Sequence, residues 1–112
     1  MKNKVDRGRR AEAEAADYLL AKGYTLITRR FKARHGEIDL VCLDGETLIF
    51  VEVRARYGQD GLPEASVGTS KLAAMQNAAR QYISETGTTR DVRFDLIAID
   101  QSGLRHHRGL EL

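Results

Sequence analysis

Gly36-Glu37-Ile38-Asp39-Leu40-Val41-Cys42-Leu43-Asp44-Gly45-Glu46-Thr47-Leu48-Ile49-Phe50-Val51-Glu52-Val53-Arg54 is the stretch whose reading decides the fold. Its first part alternates Ile38, Leu40 and Cys42 against Asp39 and Val41, which predicts a strand with one mostly apolar face. Asp44-Gly45 is a strong hairpin signal. Residues 47–53 resume as a nearly continuous apolar run, the kind buried on both faces of a sheet. Two carboxylates, Asp39 and Glu52, interrupt these strands. An unpaired charge in the interior is costly, so each must meet a cation, a metal or water at a sheet edge. Pairing about the turn sets residue 37 against 52 and residue 39 against 50; a modest stagger or a bulge would bring Asp39 and Glu52 side by side. Glu52 and Arg54 lie two apart, so a regular strand points both to one face.

Upstream, Ala11, Ala15, Tyr18 and Leu19 fall at helical spacing, predicting a helix over about residues 6–22 with Asp6 as N-cap and Gly23 closing it. Residues 24–28 read as a strand by their β-branched and aromatic content. Downstream, Gly58, Gly61, Pro63 and Gly68 mark residues 57–68 as a loop. Thr69 or Ser70 then caps a second helix to about Glu85, with Leu72, Met75, Ala79, Tyr82 and Ile83 as its apolar stripe, and Gly87 ends it. Residues 93–100 form a last strand, and the polar tail, 101–112, is expected to fray. The expected fold class is α/β, a small mixed sheet flanked by helices in the order αβββαβ.

The 112 residues suit one domain, with its core at about 6–100. A hydrophobic fraction of 42% and a charged fraction of 30% describe an ordinary globular chain. No apolar run approaches the roughly 18–20 residues of a membrane span. The polar, basic first ten residues lack the apolar core of a secretory signal. Cys42 is the only cysteine, which excludes an internal disulfide and a zinc cluster of Cys spacing. A reducing, cytoplasmic setting without membrane attachment is the expectation. The net charge is only +2, but arginines cluster around the acidic stretch: Arg7, Arg9 and Arg10; Arg29, Arg30, Lys32 and Arg34; Arg54 and Arg56. Arginine's planar fork suits phosphate, although each cluster alone reads as a solvated face.

Asp39, Glu52 and Arg54 outline a site for a hard divalent ion such as Mg²⁺ or Mn²⁺, which takes carboxylates, carbonyls, waters and phosphate oxygens. A neighbouring cation would position water or stabilise charge on a leaving phosphate. Salt bridges, Glu52 with Arg54 or Arg34 and Asp39 with another arginine, account for the same spacing equally well.

The pattern Gly36-Glu37-Ile38-Asp39-Leu40-Val41 followed by Phe50-Val51-Glu52-Val53-Arg54 resembles the Asp…Glu-x-Lys signature of the restriction-endonuclease-like superfamily. The longer ordered set resembles the uncharacterised YraN-like family, distantly similar to archaeal Holliday junction resolvases. It starts at Gly8-Arg9-Arg10-Ala11-Glu12, continues through Ala15-Ala16 and Tyr18-Leu19, and ends at Arg93-Phe94-Asp95. The resemblance implies Asp39 and Glu52 as metal ligands, the Val53 carbonyl as a third, and Glu12 from the first helix completing the acidic cluster. It implies a metal-dependent endonuclease acting on DNA, with branched or recombination-intermediate DNA as substrate. Arg54 departs from the signature, because arginine cannot shed its proton and so cannot serve as general base. Lys71, opening the second helix, is the candidate to replace the missing lysine. Arg9, Arg10, Arg30, Lys32, Arg34, Arg56 and Gln76 are the candidates to hold the DNA backbone.

Glu37 is expected to be exposed, Asp95 to pair with an arginine, and His106-His107 to be incidental to the site. A homodimer joined through exposed edge strands is expected for cutting two strands. Two other function classes fit the residues: a non-catalytic nucleic-acid-binding module with a vestigial nuclease site, supported by Arg54, and a structural or adaptor protein whose carboxylates sit in salt bridges.

Overall fold

A computed structural model describes residues 4–58 and 61–112. Two helices flank one mixed five-stranded sheet, as the α/β reading expects. The elements are α1 (Lys4–Ala21), β1 (Thr25–Ala33), β2 (Gly36–Asp44), β3 (Thr47–Arg56), a short 3-10 helix (Pro63–Ser66), α2 (Thr69–Thr86), β4 (Val92–Asp100) and β5 (Gly103–His107). Strand order is β1-β2-β3-β4-β5, with every neighbouring pair antiparallel except the parallel pair β3 and β4, which α2 connects.

Alternation along the strands divides the core into two halves. Ala11, Ala15, Ala16 and Leu19 of α1 pack on Leu40, Cys42, Ile49, Val51, Ile97 and Ile99. Met75, Ala78 and Ala79 of α2 pack on Ile38, Val41, Leu48 and Phe50 on the opposite face. β3 is the central strand covered on both sides, so its apolar run has no solvent face to alternate with.

Helix α1 begins at Lys4, so Asp6 lies inside it rather than capping it, and the Asp6 side chain is outside the described residues. The N-cap of α2 is Gly68, one residue before the expected Thr69, and makes no side-chain capping bond. Gly87 closes α2 in the left-handed conformation, φ 66°, as the sequence predicts. Strand β1 runs on through the basic stretch to Ala33.

Two corrections concern pairing. The hairpin turn is Gly45-Glu46, because Asp44 pairs with Thr47 and only Gly45 has positive φ, at 60°. That pattern is a two-residue turn with glycine first, and it moves the register by two relative to a turn centred on Asp44-Gly45. The tail expected to fray contains β5, which pairs with β4 from Asp100↔Gly103 to Leu96↔His107. Ser102 N–H donates to Asp100 Oδ1 at 2.8 Å, an Asx turn that starts this second hairpin.

Gly36 sits where β2 passes closest to α2. A Cβ there would collide with the Ala74 carbonyl oxygen and carbon, which are backbone atoms that no rotamer change can move. Gly36→Ala is therefore expected to lower stability by about 1–3 kcal/mol, the cost of overpacking. Gly8→Ala meets nothing within 4 Å. Urea unfolding of the two variants side by side checks this, and equal stabilities would remove the argument.

Candidate functional site

The register places Asp39 opposite Glu52 without any bulge, one step beyond the last ladder pair, Leu40↔Val51. At that step the backbone bond is replaced by a side chain: Val53 N–H donates to Asp39 Oδ2 at 2.8 Å, which fixes the carboxylate beside Glu52. An extended residue turns its N–H and C=O to the same edge, so the Val53 carbonyl also faces the Asp39 side. Glu52 itself is 1% exposed. It shares the α2 side of the sheet with Phe50, and Lys71 of α2 reaches it, Nζ to Oε2 at 3.3 Å. Arg54 Nε lies 3.1 Å from the same oxygen but is too misaligned for a hydrogen bond. The other oxygen, Oε1, is buried and has no hydrogen-bond partner among the described residues.

Burial raises the Glu52 carboxyl to about 8, and the neighbouring Asp39 charge and its capacity to accept the Glu52 proton push the same way. Lys71 and Arg54 oppose the rise without cancelling it. Two carboxylates forced together in this way attract a cation that can bind both.

Glu12 is placed differently. Arg30 Nε donates to its Oε1 at 2.8 Å across the α1 side of the sheet. Arg30 is the only described non-glycine residue with positive φ, at 53°. Pairing of β1 with β2 skips the step between Arg29↔Leu40 and Phe31↔Ile38, where Arg30 and Asp39 face one another. β2 changes side there: Ile38 packs with the α2 cluster although Leu40 and Cys42 pack with the α1 cluster. The kink corrects the single apolar face expected for this strand. Such locally strained backbone persists only where surroundings over-determine it. The Arg30 guanidinium also feels Glu37 and Asp39, so it bridges the acids of the two faces electrostatically. Among the described residues no group of three or more His, Cys, Asp or Glu side chains is close enough to hold a metal ion. The structure thus brings Asp39, Glu52, Arg54 and Lys71 together, and ties Glu12 to Arg30.

Of the other basic candidates, Arg9 and Arg10 are exposed on α1, Lys32 and Arg34 are exposed at the far end of β1, and Arg56 is half-buried. Gln76 is half-buried on α2, and its side chain has no hydrogen-bond or ion-pair partner among the described residues. Glu37 is half-buried opposite Lys32 rather than fully exposed. A cleft of about 430 Å³ opens past the end of β3, lined by Arg7, Glu12, Arg54, Arg56, Tyr57 and Ser66 among others.

A second polar cluster lies outside the candidate site, under α1. Asp95, fully buried on β4, pairs with Arg93, as expected. His106, expected to be incidental, has a side chain only 5% exposed and binds Asp95 Oδ2 through Nε2 at 2.7 Å, while its Nδ1 meets the Tyr18 hydroxyl at 3.1 Å. Sequence reasoning missed it because its partners lie 11 and 88 residues away, beyond any local spacing.

The donor chemistry fits a hard divalent cation as a two-carboxylate site: all oxygen, one acceptor buried without a donor, and a carbonyl turned to the same edge. It does not fit a three-carboxylate cage unless Glu12 leaves Arg30. Glu12 and Arg54 nevertheless line one cleft, so both faces of the sheet contribute to the same end of β3.

No described helix is long and apolar enough to cross a membrane. A model of the uncharacterised protein family UPF0102 matches residues 11–99, a span that includes every one of these acids. A UPF0102 protein of Chlorobium chlorochromatii is 41% identical over 102 residues, covering 90% of this chain and 79% of its own. One of Thermodesulfovibrio yellowstonii is 36% identical over 92% of this chain and 93% of its own, and one of Pelotomaculum thermopropionicum is 45% identical over 82% and 78%. Matches of that identity and coverage show that the chain belongs to family UPF0102, as the YraN-like resemblance of its motifs implies.

Proposed function

We propose that this protein is a metal-dependent endonuclease that hydrolyses DNA phosphodiester bonds in the cytoplasm, with Mg²⁺ or Mn²⁺ as cofactor. One observation carries the reading: Asp39 of β2 and Glu52 of β3 stand side by side where the pairing of the two strands ends, with Glu52 Oε1 buried and without a hydrogen-bond partner among the described residues and two cations at its other oxygen. A bound ion would supply an activated water and neutralise charge on the phosphate. Asp39 and Glu52 would hold that ion, with the Val53 carbonyl as neighbour and Glu12 available only on release from Arg30. The Val53 N–H keeps the Asp39 carboxylate oriented. Lys71 and Arg54, now on Glu52, are placed to take up phosphate charge, and Lys71 alone of the two can lose a proton. The arginines of α1 and β1 would hold the flanking backbone. β1 leaves an open sheet edge with Ile27 42% exposed, which offers a route to a homodimer.

Because Glu52 already meets two cations, a non-catalytic DNA-binding module is the second reading. Calorimetric titration of Mn²⁺ and Mg²⁺ into wild type and Asp39→Ala/Glu52→Ala, followed by cleavage assays on linear, single-stranded and branched DNA, separates them. Ion binding lost in the variant together with metal-dependent cutting is the expected result. DNA binding with no cutting under any ion would establish the module instead, and silence in both assays would leave the acids as ion-pair partners.

A further inference from the structure

We infer that the cleft between α1 and the end of β3 takes an unpaired nucleotide, its phosphate among Arg7, Arg54 and Arg56 and its base stacked on Tyr57. The inference rests on the nucleic-acid reading above and names the form of substrate that the site prefers.

Tyr57 follows the last residue of β3 and is 39% exposed, although it is aromatic. On one side Arg56 still pairs with Asp100 across the sheet. On the other, Gly58 N–H reaches Gln101 Oε1 at 3.5 Å. The ring is therefore mounted between two tethered residues rather than carried on the free tip of a loop. It lines two adjoining depressions: the arginine-lined cleft, and a second hollow along α1 bounded by Arg7, Arg10 and Glu14. A half-exposed aromatic residue that lines both depressions is available to a ligand, which a core tyrosine is not.

Charge and size narrow the occupant. Among the described residues the cleft's charged lining is Arg7, Arg54 and Arg56 with one carboxylate, Glu12; Arg30 already engages that carboxylate, and Arg54 also faces Glu52. An anion is favoured. At about 430 Å³ the space suits one small ligand of nucleotide size, and is too small for a duplex. Arg54 belongs both to this lining and to the Glu52 contact, so an occupant here touches the proposed reaction centre. Bases within a duplex are stacked on each other and offer no free face. Only a nucleotide at a single-stranded end, flap or junction can place a phosphate among guanidiniums and a base on an aromatic ring at once.

Fluorescence anisotropy in EDTA tests this without any cleavage, using a labelled single-stranded oligonucleotide, a flapped duplex and a blunt duplex. Tyr57→Ala is expected to weaken binding of the first two by about 5- to 150-fold, the equivalent of the roughly 1–3 kcal/mol that one stacked base contributes. Its affinity for blunt duplex should match that of wild type. Tyr57→Trp should retain the preference, and its indole emission should be quenched on adding single-stranded DNA. Equal losses on all three DNAs, no loss on any, or a wild type that does not bind single strands would each overturn the proposal. Wild-type binding without cutting in Mg²⁺ or Mn²⁺ would instead count against the nuclease reading and leave this one standing.

Discussion

Asp95→Ala lowers the stability of this domain by about 3–5 kcal/mol, the usual result of removing one partner from a buried ion pair. The Asp95 side chain is completely buried and receives Arg93 Nε at 2.8 Å, Arg93 Nη2 at 3.0 Å, His106 at 2.7 Å and the Gly109 N–H at 3.1 Å. Arg93 extends the network to Asp44 at 3.1 Å and to the Tyr24 hydroxyl at 2.8 Å. Strands β4 and β5 and the segment after β5 thus converge on one carboxylate, and alanine would leave an arginine and a histidine facing a void. Burial alone would raise this carboxyl, but the bonds from His106, Arg93 and Gly109 outweigh it and hold it down at about 2. The contribution to stability is therefore complete above the ordinary aspartate value near ~3.9. It is lost as pH falls through that value towards about 2. Urea unfolding at pH 7 and pH 3 should show the difference between wild type and variant shrinking at the lower pH. A difference below about 1 kcal/mol at pH 7 would mean that the network is dispensable.

Glu52→Gln is expected to move stability and activity in opposite directions. Ionised Glu52 is held in an interior that disfavours its charge, and its proton leaves only near pH 8. A carboxyl with raised affinity for protons in the folded state makes folding less favourable as pH climbs from its unfolded value to its folded one. Glutamine has no charge to bury. Lys71 and Arg54, left behind, keep side chains about a third exposed and can turn to water. The variant should match wild type near pH 4. It should exceed wild type by on the order of 1 kcal/mol or more above pH 8, since each unit by which a folded-state pKa is raised withdraws about 1.4 kcal/mol from folding once the group ionises. Its ion affinity should fall by at least about tenfold and metal-dependent cleavage by about a hundredfold or more, since a ligand is lost with its charge. Thermal unfolding at pH 5 and pH 8.5, with and without Mn²⁺, reads both effects. A variant less stable than wild type at pH 8.5 without ion would show that the carboxylate serves the fold.

This opposition bears on why a domain of this size keeps a buried acid pair at all. Both oxygens of Asp95 meet donors, and the group is stabilised as an anion. At Glu52 one oxygen meets none among the described residues, and the group is stabilised as an acid. The same residue class in neighbouring strands thus has opposite energetics. Stability given up at a site is the recurrent cost of function.

Helix α1, strands β2 to β4 and helix α2 were legible in the sequence because each depends on local periodicity. Ala11, Ala15 and Leu19 recur at helical spacing, and residues 48–51 are apolar because both sides of their strand are covered. Asp39 and Glu52 were legible as a problem, two charges in apolar strands, and Lys71 as a cation at the start of the helix facing them. The turn residues, however, decided whether the acids meet, and placing the turn at Gly45-Glu46 rather than Asp44-Gly45 changes the register by two. No local signal marked the left-handed Arg30 that kinks β1 against β2 and binds Glu12, 18 residues away. β5 was equally hidden. It has few apolar residues, because the side chain it buries most deeply is a histidine whose burial is made tolerable by Asp95 and Tyr18. Sequence by itself determined which segments are helix or strand and which residues must find a partner, since both follow from local pattern and from the cost of burying charge. Which partner each one found was decided only by the tertiary structure, because an ion pair or a register is set by elements that meet across the fold.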